Sequence, residues 1–123
     1  MSGENLRRRT FEFACEAVAF CKILSKRGPI ILRLSLQLVD SSTSIGANLE
    51  EAAAGQSKPD FIARVFVALK ESRETRYWLR LIRTSETDLE TRIVPLLEES
   101  DQIVAILTTI LRKARENPSR GNP

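Results

Sequence analysis

At 123 residues, 42% of them hydrophobic, the chain has room for one domain with a core of ordinary size. Its 19 Lys and Arg against 16 Asp and Glu leave a net charge of +3, too small an excess to imply an acidic partner by itself. The absence of histidine excludes a histidine base and the carboxylate-plus-histidine di-metal site of ferritin-like bundles, and no apolar run approaches the roughly 18 residues of a membrane span. With no signal-peptide pattern at the amino terminus, the expected location is the cytoplasm.

The first predicted helix covers about residues 4 to 26. Phe13, Ala17, Phe20 and Leu24 form one apolar seam and Phe11, Ala14, Val18 and Cys21 a second, and Gly28-Pro29 ends it. Cys15 and Cys21 fall on this helix about 9 Å apart along its axis, too far to bridge, and read as buried free thiols. The second helix runs from about Ile30 to Ala54, with Ile31, Ser35, Leu38, Ser42, Ile45, Leu49 and Ala52 on one seam and Gly55 as its stop. Ser57-Lys58-Pro59-Asp60 then combines a capping side chain, an early proline and a first-turn acid, which start the third helix. Its seam is the cleanest in the chain: Phe61, Val65, Ala68, Ser72, Thr75, Leu79 and Ile82.

A polar stretch, Thr84 to Thr91, separates the third helix from a fourth in which Pro95 is expected within the first turn. The fourth carries a wide apolar face, with Ile93, Leu96, Ser100, Ile103, Leu107, Ile110 and Ala114 on one stripe and Leu97, Val104 and Leu111 beside it. No segment alternates with period two, so the expected fold is an all-α, antiparallel up-down-up-down four-helix bundle over residues 1–116, followed by a disordered tail over 117–123. Small residues on facing seams of the second and third helices make these the expected tightest pair.

Ser41 to Asn48 is a poor helix former, because its hydroxyls compete for backbone bonds and Gly46 costs about 1 kcal/mol against alanine. The seam nevertheless stays in phase across it, so one continuous helix is expected. Its hydroxyls serve close helix contact, a polar pocket or a kink.

Ser42-Thr43-Ser44-Ile45-Gly46-Ala47-Asn48, with Glu51-Ala52, Ser57, Asp60-Phe61-Ile62, Ala68-Leu69-Lys70-Glu71 and Glu74 through Leu81, resembles the bacterial four-helix-bundle family of 23S rRNA intervening-sequence proteins. The resemblance implies a left-handed bundle assembled as a homopentamer. The chain is also similar to the accessory variability proteins of diversity-generating retroelements, which share that assembly and are implicated in binding a reverse transcriptase and nucleic acid. Asp40 and Ala52 stand where many relatives show arginine and glycine.

No catalytic residue, metal site or cofactor is expected. Glu51 lies about 13 Å from the level of Glu71 along the bundle, so Glu50 or Glu51 cannot share an ion with Glu71 and Glu74 within one subunit. Glu71 and Glu74 alternate with Lys70, Arg73 and Arg76, as on a salt-bridged exposed or inter-subunit face. Tyr77 and Trp78 are about 100° apart on the helix, so one should point outward, as an interface anchor or a base-stacking platform. Asn48 and Glu51, one turn apart, are expected to form a polar link between helices.

The functional lead is a basic pole. The topology gathers the start of the first helix, the second connection and the end of the fourth, and with them Arg7, Arg8, Arg9, Lys58, Arg64, Arg112, Lys113, Arg115 and Arg120. Against these nine stand Glu4, Glu12, Glu50, Glu51, Asp60 and Glu116, while the remainder of the chain balances at ten against ten. Such a pole can attract phosphate backbones without reading bases. The sequence therefore suggests a non-enzymatic homo-oligomer that binds RNA or DNA, with Arg7, Arg8, Arg9, Lys58, Arg112, Lys113 and Arg115 as the contact. The alternative is a protein-interaction scaffold, such as an accessory subunit to a reverse transcriptase or another nucleic-acid enzyme, docked on the outer faces of helices three and four.

Overall fold

A computed structural model describes residues 3–55 and 57–116. Four helices, α1 (Gly3–Leu24), α2 (Pro29–Ala54), α3 (Lys58–Ser85) and α4 (Glu90–Glu116), follow one another, with a single 3-10 turn at Thr87–Leu89 and no strand among the described residues. Gly46 of α2 lies against Thr10 of α1, Ser41 of α2 bonds Thr75 of α3, and Arg83 of α3 bonds Glu90 of α4. These contacts run each helix antiparallel to the one before. The result is the expected up-down-up-down bundle. The α2–α3 contact is the most extensive, the backbones of the diagonal pairs stay more than 8 Å apart between Cα atoms, and α1 meets α4 only slightly. The tail expected over 117–123 lies outside the described residues.

Local chemistry sets the helix ends. Gly28 takes a φ of +100°, a conformation costly for other residues, and turns the chain from α1 into Pro29, the first residue of α2. Ser57 caps α3 by accepting the Asp60 backbone N–H at 3.3 Å, with Pro59 and Asp60 in the first turn. Two expectations fail between α3 and α4. Half of the polar stretch is α-helix, because Thr84 and Ser85 still belong to α3 and Glu90 and Thr91 already belong to α4. Pro95 is the sixth residue of α4 rather than part of its first turn. The buried Leu89 draws the short turn onto the core, while Thr91, whose carbonyl Pro95 cannot reach with an N–H, is exposed to solvent.

Every residue of the α2 seam is buried, and the α3 seam is buried from Val65 to Ile82. The α1 seam of Phe13, Ala17, Phe20 and Leu24 is buried too, but the second seam opens outward until Phe11 is 66% exposed. Cys15 is likewise exposed, a correction to its expected burial. Cys21 is buried, its S–H donates to the Ser35 carbonyl at 3.4 Å, and desolvation pushes its thiol up to about 12. The wide face of α4 is largely used: Leu97, Val104 and Leu111 are buried together with the main stripe from Ile93 to Leu107, and Ile110 and Ala114 are half-buried. A helix seated between two neighbours needs an apolar face wider than one seam. The large exposed apolar side chains lie instead on α1, α2 and α3, as Phe11, Ile30, Leu36, Phe66, Tyr77 and Leu81.

The hydroxyl-rich segment stays helical. Thr43 and Ser44 donate to the Val39 and Asp40 carbonyls four residues back, both at 2.7 Å, and the Thr75 hydroxyl bonds that of Ser41 at 2.9 Å across the α2–α3 contact. The hydroxyls thus serve helix approach. Gly46 faces α1 instead, where a Cβ would come within 3.3 Å of the Thr10 hydroxyl.

Candidate functional site

Each end of the bundle collects two helix starts or stops from each hairpin, and the cations expected to act together lie at the end where α1 begins and α4 stops. Their side chains have different fates. Arg9 leaves the group: its Nε and Nη2 donate to both oxygens of Glu99 at 2.6 and 2.8 Å, and Nη2 also reaches Gln102 at 2.6 Å. That fork ties α1 to the middle of α4 and spends the charge on a carboxylate outside the pole; the carboxylate in turn holds the guanidinium's pKa up. Arg7 lies 3.7 Å from Glu50, Arg8 bonds Asn5 at 3.3 Å, and Arg112 lies 3.8 Å from Glu116. The Arg115 guanidinium sits 5.7 Å above the Phe66 ring, Lys58 is half-buried at the first position of α3, and Lys113 is exposed. Arg120 lies outside the described residues.

With Arg9 withdrawn, seven described cations at this end face six acids. Glu4, Glu12, Glu51 and Asp60 are exposed there, and their carboxylates bond no cation among the described residues. The expected basic pole thus carries exposed acids among its cations.

The opposite end, formed by the α1–α2 and α3–α4 connections, was hidden in the balance of ten against ten. Lys22, Lys26, Arg27, Arg33, Arg80, Arg83 and Arg92 gather there against Glu86, Asp88 and Glu90. All three acids are occupied. Arg27 donates to Glu86 at 3.1 Å and to both oxygens of Asp88 at 2.8 and 2.6 Å, clamping one connection to the other. Arg83 grips Glu90 at 2.7 and 3.1 Å. These bonds hold the Asp88 and Glu90 carboxyls below their ordinary range and the two guanidinium groups above theirs. Lys22, Lys26, Arg33, Arg80 and Arg92 remain exposed, with side chains that make no ion pair or hydrogen bond among the described residues. Sequence reasoning missed these five by weighing one pole against everything else. Counting the two ends and the middle separately would have found them, because the middle holds seven acids and only Lys70, Arg73 and Arg76.

The remaining candidates lie in that acidic middle or beside it. Asn48 does link helices, accepting from Arg64 of α3 at 3.3 Å while donating to the Ser44 carbonyl at 2.9 Å. Glu51 is exposed and takes no part in the link. Glu71 and Glu74 form no salt bridge with Lys70, Arg73 or Arg76 among the described residues, because Arg76 reaches across to Asp101 of α4, 3.6 Å away. Desolvation raises the half-buried Glu71 carboxyl, and Glu74 and Asp40 add to the shift. Tyr77 points outward, 56% exposed, and its ring meets Trp78 edge-on at 5.1 Å. Trp78 packs on the core with its indole Nε1 buried and unpartnered.

The sequence profile described as 23S rRNA-intervening sequence protein matches residues 5–109. Among solved structures, the fold is similar to that of a protein of unknown function from the S23 ribosomal protein family of Bacteroides thetaiotaomicron. The two share 33% identity at a TM-score of 0.82, over 91% of this chain and 99% of that one. No curated protein gives a significant match.

Proposed function

The chain belongs to the 23S rRNA-intervening sequence protein family, and on that premise we propose that it is a non-enzymatic homo-oligomeric bundle that binds nucleic acid electrostatically through a basic pole. The observation that carries the proposal is the separation of charge along the bundle, cationic at the ends and acidic in the middle. A phosphate backbone would be drawn to the ends and repelled from the flank. The family description refers to an rRNA intervening sequence, so RNA is the first polyanion to test, with DNA beside it. Titration of labelled RNA and DNA at low and moderate salt should show affinity that falls steeply with salt. Binding that is absent, or indifferent to salt, would reject the proposal.

Assembly is the second part of the proposal, and a homopentamer is the state that the family resemblance implies. Its support is the apolar surface that one protomer leaves open. Phe11, Ala14, Cys15 and Val18 of α1 line a groove with Thr43, Gly46 and Ala47 of α2, and Leu36 continues the stripe along α2. Light scattering should give five times the 13.9 kDa of the chain.

A second reading, a scaffold for a nucleic-acid-processing protein, is favoured by Tyr77 and Leu81, which lie one turn apart and exposed on α3. It moves the docking face from α3 and α4 to α3 alone. A Tyr77→Ala/Leu81→Ser variant that assembles normally yet loses a captured nucleic-acid enzyme would support it, and unchanged capture would remove it.

A further inference from the structure

We infer that the phosphate-binding surface is the end formed by the α1–α2 and α3–α4 connections, with Lys22, Lys26, Arg33, Arg80 and Arg92 as its contacts. The inference rests on the nucleic-acid reading above and locates it. Each helix contributes one of these cations, Lys22 from α1, Arg33 from α2, Arg80 from α3 and Arg92 from α4, and Lys26 lies in the connection between α1 and α2. All five side chains are exposed and make no ion pair or hydrogen bond among the described residues. Arg33 lies four residues and Arg80 five residues from the helix ends, so the whole set falls within about 8 Å along the axis.

What distinguishes this end is its carboxylates rather than its cations. Its three acids are all held by Arg27 and Arg83, and although one of those negative charges is left over and Glu98 lies beside Arg80 and Arg83, five cations remain unpaired around them among the described residues. At the other end a phosphate would meet Glu4, Glu12, Glu51 and Asp60. The Arg27 clamp also joins the two connections, which keeps the five cations at one level instead of on independent loops. The start of α2 adds to the field: Gly28 supplies no capping side chain and the first turn carries no acid, whereas α3 at the other end is capped by Ser57 and neutralised by Asp60. Exposed lysine and arginine side chains make phosphate contacts, so binding should be indifferent to base sequence.

The test compares two triple variants of the full-length chain that change charge equally: Lys26→Gln/Arg33→Gln/Arg80→Gln at the connection end, and Arg8→Gln/Arg112→Gln/Lys113→Gln at the other. Fluorescence polarisation would follow mixed-sequence single-stranded RNA, duplex RNA and duplex DNA across a salt series, with circular dichroism and light scattering confirming unchanged fold and mass. Five contacts predict a log–log salt slope of about −4, falling to about −2 in the connection-end variant with an affinity loss on the order of 50-fold at low salt. The other variant should lose no more than about threefold. Equal losses, or a larger loss from the second variant, would overturn the placement and leave the nucleic-acid reading intact. No binding of any probe by the unmodified protein would overturn both. Binding to phosphatidylglycerol vesicles but to no nucleic acid would replace the phosphate backbone with a lipid surface, and so overturn the inference too.

Discussion

The two ends of this bundle are built alike, each from two helix starts and two helix stops, yet they present different surfaces. Among the described residues, the end where α1 begins has more cations, eight against seven, but its acids are scattered and exposed and one of its arginines is spent on Glu99. The connection end has fewer cations and a stronger claim on a polyanion, because Arg27 and Arg83 already hold Glu86, Asp88 and Glu90 and five further cations are unpaired among the described residues. The number of cations in a region is therefore a poor guide to what it can bind. The side chains left without a partner decide the field that a ligand meets.

The comparison can be pressed hardest through the core beneath each end. Leu24, Ile82 and Ile93 seal the connection end with no exposure, whereas Leu6, Leu49 and Leu111 at the other end retain 5 or 6%. Leu24→Ala is expected to cost about 3 kcal/mol in denaturant unfolding and Leu6→Ala about 2. Equal costs would mean that the two ends are sealed alike. Next in size is the fork from Arg9 to Glu99, whose side chains are each about a quarter exposed. After discounting for solvent screening, Arg9→Ala should cost about 1 kcal/mol. The double variant with Glu99→Ala should cost little more than either single change, since both remove the same interaction. Additive losses would show that Arg9 is not spent there and remains available to the pole.

The acidic middle offers a smaller effect of opposite sign. The Glu71 carboxyl is raised, chiefly by desolvation, so its contribution to folding is full when it is protonated and is lost as pH rises through its folded pKa. Glu71→Gln should therefore raise the Tm by about 2 °C at neutral pH and change it little near pH 4. A gain of the same size at both would exclude a carboxylate cost. The smallest expected effect lies at the connection end, where Asp88 and Glu90 are depressed by Arg27 and Arg83. Their stabilisation is fully present above the ordinary values of 3.8 and 4.5 and disappears as pH falls through the lower folded values. Side-chain NMR titration should place both midpoints below those values, and Arg27→Gln should return Asp88 toward its own.

Much of the scaffold was legible because helical periodicity is local. The unbroken seams of α2 and α3, the Ser57 cap and the two glycine stops each depend on residues within a few turns of one another. Misreadings gathered where a neighbour outside that range took control. Leu89 shortened the polar stretch by packing on the core, the neighbours of α4 used the face that looked surplus, and Arg76 turned to Asp101 instead of the adjacent glutamates. The candidate site was half legible. Topology gathered eight described cations at one end, with Arg120 outside the described residues, but balancing the rest of the chain as one sum concealed a basic end beside an acidic middle.

The order of residues by itself determined four amphipathic helices, their punctuation, and an antiparallel bundle with α2 and α3 closest, since short connections and apolar seams leave few other ways to exclude water. Tertiary structure alone decided which charges remain unpartnered. Arg9 meets Glu99 across 90 positions, and Arg27 meets Glu86 and Asp88 across about 60, contacts that no local pattern encodes. Coulombic pairing acts through space over a few ångströms, so the surface open to a phosphate backbone is fixed only once distant segments have been packed side by side.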